Sequence, residues 1–302
     1  MTKSTKWFLG ILAVLVLFVA GVVILLVAVF PLRTGTTETV TSGSGEKLAV
    51  VELRGVITSS EELVRQLKKY RENSSIRGIL LRVDSPGGAV VPSQEIYEEV
   101  RKTRDSGKPV VVSMGSVAAS GGYYVACGAS KMVANNGTLT GSIGVIAEFL
   151  QLEEGLHKLG IDVKIVKSGA LKDAGVPTRR MTQNEQQYFQ DLMDNVHRQF
   201  IEVVERERSL SHEDVVHLAD GRVFTGQQAV ELGLVDTLGT YEDAVRIAAG
   251  LAGITGEPAL VRERRHVPWW APGIEEVTDT MNKIKTEVLE RPLLSFRFVG
   301  PY

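Results

Sequence analysis

From residue 7 to residue 30 the chain reads WFLGILAVLVLFVAGVVILLVAVF, 24 residues without a charged side chain. As a helix rising 1.5 Å per residue that run reaches about 36 Å, enough to cross the hydrocarbon core of a bilayer. A cleaved secretory leader has a shorter apolar region followed by a small-x-small site, whereas this run is long and ends at Phe30-Pro31, so a retained anchor is expected. Lys3 and Lys6 precede the run and only Arg33 closely follows it. That bias places residues 1–6 in the cytoplasm and everything after Pro31 on the far side of the cell membrane.

Residues 31–46 are polar and rich in Gly, Ser and Thr, the composition of a flexible tether. Beyond it, a folded domain is expected over 47–256. Residues 48–57, 77–84, 109–115, 130–137 and 162–169 are short, partly β-branched apolar runs, each a candidate core strand. Helix-like stretches at 59–73, 93–107 and 154–160 separate them, the spacing of crossover helices between largely parallel strands, and the fold class is α/β. Residues 182–208 form a long helix whose apolar stripe is Phe189, Leu192, Val196, Phe200 and Val203. Residues 257–302 are expected to form a less ordered tail anchored by apolar side chains such as Trp269, Trp270, Phe296 and Phe298.

Charge and cysteine content narrow the chemistry. Lys plus Arg number 34 against 36 Asp plus Glu, a balance that disfavours a nucleic-acid partner. The single cysteine, Cys127, excludes an internal disulfide framework and a Cys-rich metal site. The histidines, His157, His197, His212, His217 and His266, include no HExxH pair and none sits beside a strand-end motif. Neither a metal centre nor a His-assisted nucleophile is expected.

Two glycine motifs stand out. Asp84-Ser85-Pro86-Gly87-Gly88 follows an apolar strand, and its glycine pair permits a sharp turn with unblocked backbone N–H groups. Residues 115–126, GSVAASGGYYVA, run from a strand into a helix. Ser120 stands at that junction, where small neighbours admit a peptide and free helix N–H groups face developing negative charge. With histidine set aside, a lysine whose pKa is lowered remains as the base. Lys172 in SGALKDAG, just past a strand end among small residues, is a candidate.

The ordered set DSPGG (84–88), GSVAASGGYYVA (115–126), LTGSIGVI (139–146), SGALKDAG (168–175) and GRVFTGQQAVELGLVDTLG (221–239) closely resembles the signal peptide peptidase A family. These are Ser-Lys peptidases related to Clp protease and the crotonases, and the likeness spans roughly residues 48–250. It implies a Clp protease/crotonase-like fold of repeated β-β-α units behind the transmembrane helix. It further implies Ser120 as nucleophile, Lys172 as general base, Ser142 orienting the lysine, and the backbone N–H groups of Gly88 and Gly121 as the oxyanion hole. Lys131 and Lys164 do not match the family's base motif. No cofactor is implied. The implied partners are apolar signal-peptide remnants, the bilayer, and further copies of the chain in a homo-oligomer that completes the dyad between protomers. A related peptidase acting on a specific membrane protein, and an inactive scaffold, are the alternatives. The apolar end of the tail, RPLLSFRFVGPY (291–302), suggests a segment that competes for the groove or is trimmed.

Overall fold

The structure is a computed structural model describing residues 36–43, 45–265 and 294–298, with scattered positions between 5 and 18. The expected anchor over 7–30 falls, apart from those positions, outside the described residues, as do Trp269 and Trp270. Among the described residues no helix is long and apolar enough to cross a membrane. The chain divides into two compact units, Met1–Glu38 with Glu263–Asp279, and Thr39–Arg262 with Thr280–Tyr302. The second unit carries the fold described below.

Its centre is a sheet of parallel strands. β1 (Thr36–Ser42) precedes β2 (Lys47–Arg54), which pairs in parallel with β3 (Ile76–Ser85). After the short β4 (Gly87–Ala89), β3 pairs in parallel with β5 (Val110–Ala119). β5 in turn pairs with β6 (Lys131–Ala134) and with β7 (Leu139–Gly141), again in parallel. These strands read as near-continuous apolar runs because the sheet is covered on both faces. Alternation still sorts the residues. Ala49, Val51, Leu53, Ile79, Leu81, Val83, Val110 and Val112 enter the larger core, while Leu48, Val50, Leu80, Val111 and Val133 enter a smaller one.

Helices complete each layer. α1 (Glu61–Glu72) contributes Leu67 and Tyr70 to the larger core, and α2 (Val90–Asp105) follows β3 and β4 to close one β-β-α unit. The short α3 (Gly121–Ala126) is wholly buried on the same side. Past α4 (Glu153–Lys158), the long α5 (Gln183–Arg208) starts at a capping box in which Thr182 and Glu185 satisfy each other's backbone N–H groups. Only its second half packs into the core, through Phe200, Ile201, Val203 and Val204. Phe189 instead meets Phe149 with ring centroids 4.5 Å apart. α6 (His212–Leu218), β8 (Val223–Thr225), α7 (Gly226–Glu231), β9 (Thr237–Leu238) and α8 (Tyr241–Leu251) follow, and α8 covers the smaller core with Ala244, Val245, Ala248 and Ala249.

One expected strand is absent. Residues 162–169 have no regular structure, and Val163, Ile165 and Val166 are exposed, the last at 91 %. Their alternation is that of a strand, yet among the described residues no strand lies alongside to pair with them, and a lone strand is not stable in water. Strands come from an unexpected quarter instead, one joining the main sheet and one forming a separate two-stranded sheet with β4. β10 (Ala259–Arg265) lies parallel to β2 through Ala259–Lys47 to Arg262–Val50, and β11 (Ser295–Arg297) lies antiparallel to β4.

Tyr123 ties α3 to the opposite end of the chain, its buried hydroxyl donating to the Leu234 carbonyl at 2.8 Å. Tyr123→Phe leaves that carbonyl unpaired in the core and should cost about 1–3 kcal/mol. Urea unfolding followed by circular dichroism measures it; an unchanged midpoint would show the bond to be dispensable.

Candidate active site

Between the last residue of β5 and the first of α3 the chain has one residue in which to turn, and that residue is Ser120. It holds φ 53 and ψ −117, a conformation L side chains rarely adopt and one that costs of order 1–3 kcal/mol unless its surroundings impose it. They do so through two backbone bonds. Ser120 N–H donates to the Gly141 carbonyl at 2.7 Å, and the Ser120 carbonyl accepts from Tyr124 N–H at 2.8 Å. A strained strand-to-helix turn of this kind projects a serine Oγ away from its own backbone. Here Ser120 is 1 % exposed and its Oγ has no hydrogen-bond partner.

Asp84 fixes the preceding stretch of β5. Its Oδ1 accepts from Val117 N–H at 3.1 Å, and a Cβ on Gly115 would stand 2.6 Å from the Asp84 carboxylate. Asp84 is thus a builder of the turn, not a reacting group.

The Gly87-Gly88 pair packs against the turn that carries the serine. Gly87 has φ 92, and a Cβ there would press within 2.5 Å of Gly121 N. Gly87 N–H is already committed to Ser85 Oγ at 3.1 Å. Ile57 N–H donates to the Gly87 carbonyl at 2.9 Å, and Ala89 N–H donates to the Ile57 carbonyl at 2.7 Å. In a trans peptide the C=O of one residue and the N–H of the next point opposite ways. The N–H and C=O of Gly88 therefore both face away from Ile57, toward the side where β11 lies with Phe296 in register with Gly88. A Cβ on Gly88 would overlap the Ile57 backbone, so only glycine fits.

What lies on that side is the chain's own C-terminal segment. The Phe296 carbonyl oxygen sits where a Cβ on Gly87 would overlap it, and 3.0 Å from where a Cβ on Gly121 would be. Ser295 exchanges two backbone bonds with Ile146, 3.0 and 3.1 Å long, and Phe298 N–H donates to the Pro86 carbonyl at 2.8 Å. The segment is an extended strand between Gly87–Ala89 on one flank and Ile146 on the other. The Phe296 ring is fully buried, stacked at 5.2 Å on Tyr124 and 4.8 Å from Phe200. Sequence reasoning placed an apolar anchor here without locating its seat.

The remaining expected residues divide. Ser142 is buried in the left-handed region (φ 51), its N–H bonded to the Arg222 carbonyl at 2.8 Å, one residue past the Gly141 carbonyl that holds Ser120. Lys172 is exposed, in a turn closed by its N–H to the Gly169 carbonyl at 3.3 Å. Within one chain the structure does not join Lys172 to Ser120, whose Oγ stands unpartnered. Lys131 lies on β6 and Lys164 is exposed. His157 meets Asp162 and His212 meets Glu205 at the surface, away from the serine. Among the described residues no group of His, Cys, Asp and Glu could hold a metal ion. Burial pushes the Cys127 thiol up to about 12 and leaves it an inert core residue.

The loop bearing Lys172 is nevertheless held, by a clamp whose charges look like ordinary solvated residues in the sequence. Asp173, buried beside the lysine, accepts from Arg179 Nε at 2.9 Å and from Lys167 Nζ. Arg179 also reaches the Asp173 carbonyl at 3.1 Å and Glu185 in a two-pronged pair, at 2.8 and 2.5 Å. The guanidinium of Arg179 holds the Asp173 carboxyl well below the usual range and lowers Glu185 to about 2.

The family profile for peptidase family S49 matches residues 102–255, and that for Clp protease matches residues 50–139. The chain belongs to peptidase family S49. A relative from Synechocystis sp. named as a protease is 44% identical over 75% of this chain and 79% of its own length. One from Enterococcus faecium named as signal peptide peptidase SppA is 38% identical over 70% of this chain and 65% of its own, and Protease 4 of Salmonella typhi is 37% identical over 69% and 35%. The chain thus spans about a third of Protease 4. As an SppA-like member of S49 with a Clp protease-like sheet, it is a serine peptidase.

The clamp generates a pH prediction. Both carboxyls have folded pKa values below their unfolded ones, so their contribution is complete above the unfolded values and is lost only as pH falls through the depressed ones. Limited proteolysis within residues 160–182 should be as slow at pH 6 as at pH 7. Arg179→Ala should make that segment readily cleaved at both; equal resistance in the variant would show that the clamp does not hold the loop.

Proposed function

We propose that this S49 member is a membrane-anchored endopeptidase that degrades apolar peptides left by signal-peptide cleavage, with Ser120 as nucleophile and Lys172 as general base. One observation carries the reading: beside an unpartnered buried serine, a groove holds an extended segment whose Phe296 carbonyl lies against Gly87 and Gly121. The anchor over 7–30 places the catalytic domain on the extracytoplasmic side, against the bilayer where such remnants remain. Tethering raises the enzyme's effective concentration around them.

The chemistry follows from the positions. Neutral Lys172 takes the Ser120 proton, the alkoxide adds to the substrate carbonyl, and the oxygen that becomes negative turns toward the N–H groups of Gly88 and Gly121. Because Gly87 N–H is engaged by Ser85, Gly88 is the donor on that flank. Collapse leaves an ester on Ser120 and passes the lysine's proton to the leaving amine. Water activated by the same lysine then releases the acid. Ser142, next to the carbonyl that fixes Ser120, orients the amine.

The lysine that serves each Ser120 comes from a neighbouring copy of the chain in a homo-oligomer. Two observations support this: Ser120 Oγ is unpartnered while Lys172 is exposed, and residues 150–171 carry exposed Leu150, Leu159, Ile161, Val163, Ile165 and Val166. An apolar strand-like segment without a mate suits pairing with another copy.

The test uses the detergent-solubilised protein and a synthetic apolar signal peptide, with products read by mass spectrometry. S120A and K172A should each abolish cleavage while leaving assembly unchanged. Co-assembled in equal amounts they should recover about a quarter of the original activity, because that share of interfaces joins an intact serine to an intact lysine. Cleavage retained by K172A would reject the base. No recovery on mixing would place both groups within one protomer.

A further inference from the structure

We infer that Ser85 is a positioning residue for the oxyanion site, its side-chain hydroxyl aiming the Gly88 N–H from behind. The inference rests on the proposed reading of Ser120 as nucleophile and Gly88 as oxyanion donor, and adds to it the group that keeps that donor in place.

The run Ser85-Pro86-Gly87-Gly88 is stiff in its first half and loose in its second. A proline fixes its own φ and confines the residue before it to extended conformations. Two successive glycines do neither, and the peptide between them can turn over at little steric cost. Gly88 N–H belongs to that peptide, so its direction has to be imposed from outside the pair.

Ser85 imposes it by using one hydroxyl as both acceptor and donor. As an acceptor it takes Gly87 N–H at 3.1 Å, the closure of a serine turn onto the second residue ahead. As a donor it reaches the Gly55 carbonyl at 2.6 Å. Gly55 N–H is in turn bonded to the Asp84 carbonyl at 2.9 Å, so the start of the stretch leading to Ile57 is fastened on both sides to the end of β3. Ile57 N–H then holds the Gly87 carbonyl at 2.9 Å, and the trans peptide turns Gly88 N–H the opposite way. The hydroxyl thus ties the loose peptide to the neighbour that sets its direction.

The same residue is fixed relative to the nucleophile. Ser85 is fully buried and lies in register with Ala118 of β5, two residues before Ser120. A Cβ on Gly122 would stand 2.8 Å from the Ser85 carbonyl oxygen, so the start of α3 packs directly on it. Without the hydroxyl, Gly87 N–H and the Gly55 carbonyl each lose a partner and the Gly87–Gly88 peptide is free to swing. An oxyanion forms only after Ser120 has attacked, so a misdirected donor weakens the transition state and leaves binding of the intact peptide alone.

The experiment compares Ser85→Ala with the wild-type, detergent-solubilised chain on the apolar signal peptide. Beside cleavage it measures inhibition by a peptide aldehyde, which adds to Ser120 and carries its oxygen into the oxyanion position, and by the matching peptide alcohol, which cannot. Ser85→Ala should lower kcat about ten- to a hundredfold, short of the loss on removing a donor outright, with KM changed by less than about twofold. Inhibition by the aldehyde should weaken by the same factor as kcat while binding of the alcohol stays unchanged. Ser85→Cys, which keeps the shape but is a weak donor and acceptor, should show the same split and serves if Ser85→Ala does not fold. An unchanged kcat in the variants, or equal weakening of aldehyde and alcohol, would overturn the inference and leave the proposed function standing. A wild-type chain that neither cleaves the peptide nor binds the aldehyde more tightly than the alcohol would overturn the two together.

Discussion

The rest of the site depends on a single strained residue. Ser120 turns the chain from β5 into α3 at φ 53, and everything around it is either what makes that turn affordable or what uses it. Gly141 supplies the carbonyl that holds its N–H, Asp84 pins the strand before it, and α3 beyond is buried on every side. The neighbours must then be small for a second reason. Around the buried Ser120, Gly87 packs against Gly121 N–H, and a Cβ at Gly87, Gly88 or Gly121 would collide with backbone or with Ser93 Oγ. Strain at the serine and absence of side chains around it are two faces of one requirement, a hydroxyl with no competing partner set against bare backbone.

Much of this was legible in the sequence because it is local. A strand ending in small residues and restarting as a helix marks Ser120, and the Gly87-Gly88 pair marks a turn, whatever the remote packing. The apolar runs that became β2, β3, β5 and β6 were readable because a sheet covered on both faces leaves an unbroken signature. Residues 162–169 carry the same signature and form no strand, since alternation reports what a segment would bury and not whether a neighbour exists to bury it. The clamp of Asp173, Arg179 and Glu185 was invisible for the opposite reason. Its charges are ordinary in composition, and only the fold, which brings the start of α5 back against the lysine loop, makes them partners.

The site is thus built in two halves of different character. Ser120, the glycines and the Phe296 pocket are core structure, packed under the sheet's carboxyl end. Lys172 rides on an exposed loop that is locally stiffened by the clamp but surrounded by uncovered apolar side chains. A lysine is an effective base at neutral pH only where water is excluded and its charge is disfavoured. An exposed loop cannot supply that environment. Whatever covers residues 150–171 must do so, and a second copy of the chain would bring both the missing hydroxyl and the missing burial in one contact. Assembly would then act as the switch that creates the base.

The same division explains why the chain can afford to carry a segment that fits its own groove. While β11 lies beside β4, a free peptide meets an occupied groove. In an isolated protomer that occupancy is harmless and useful: the strand pairs the otherwise open edge of β4 and fills an aromatic pocket that would stand empty.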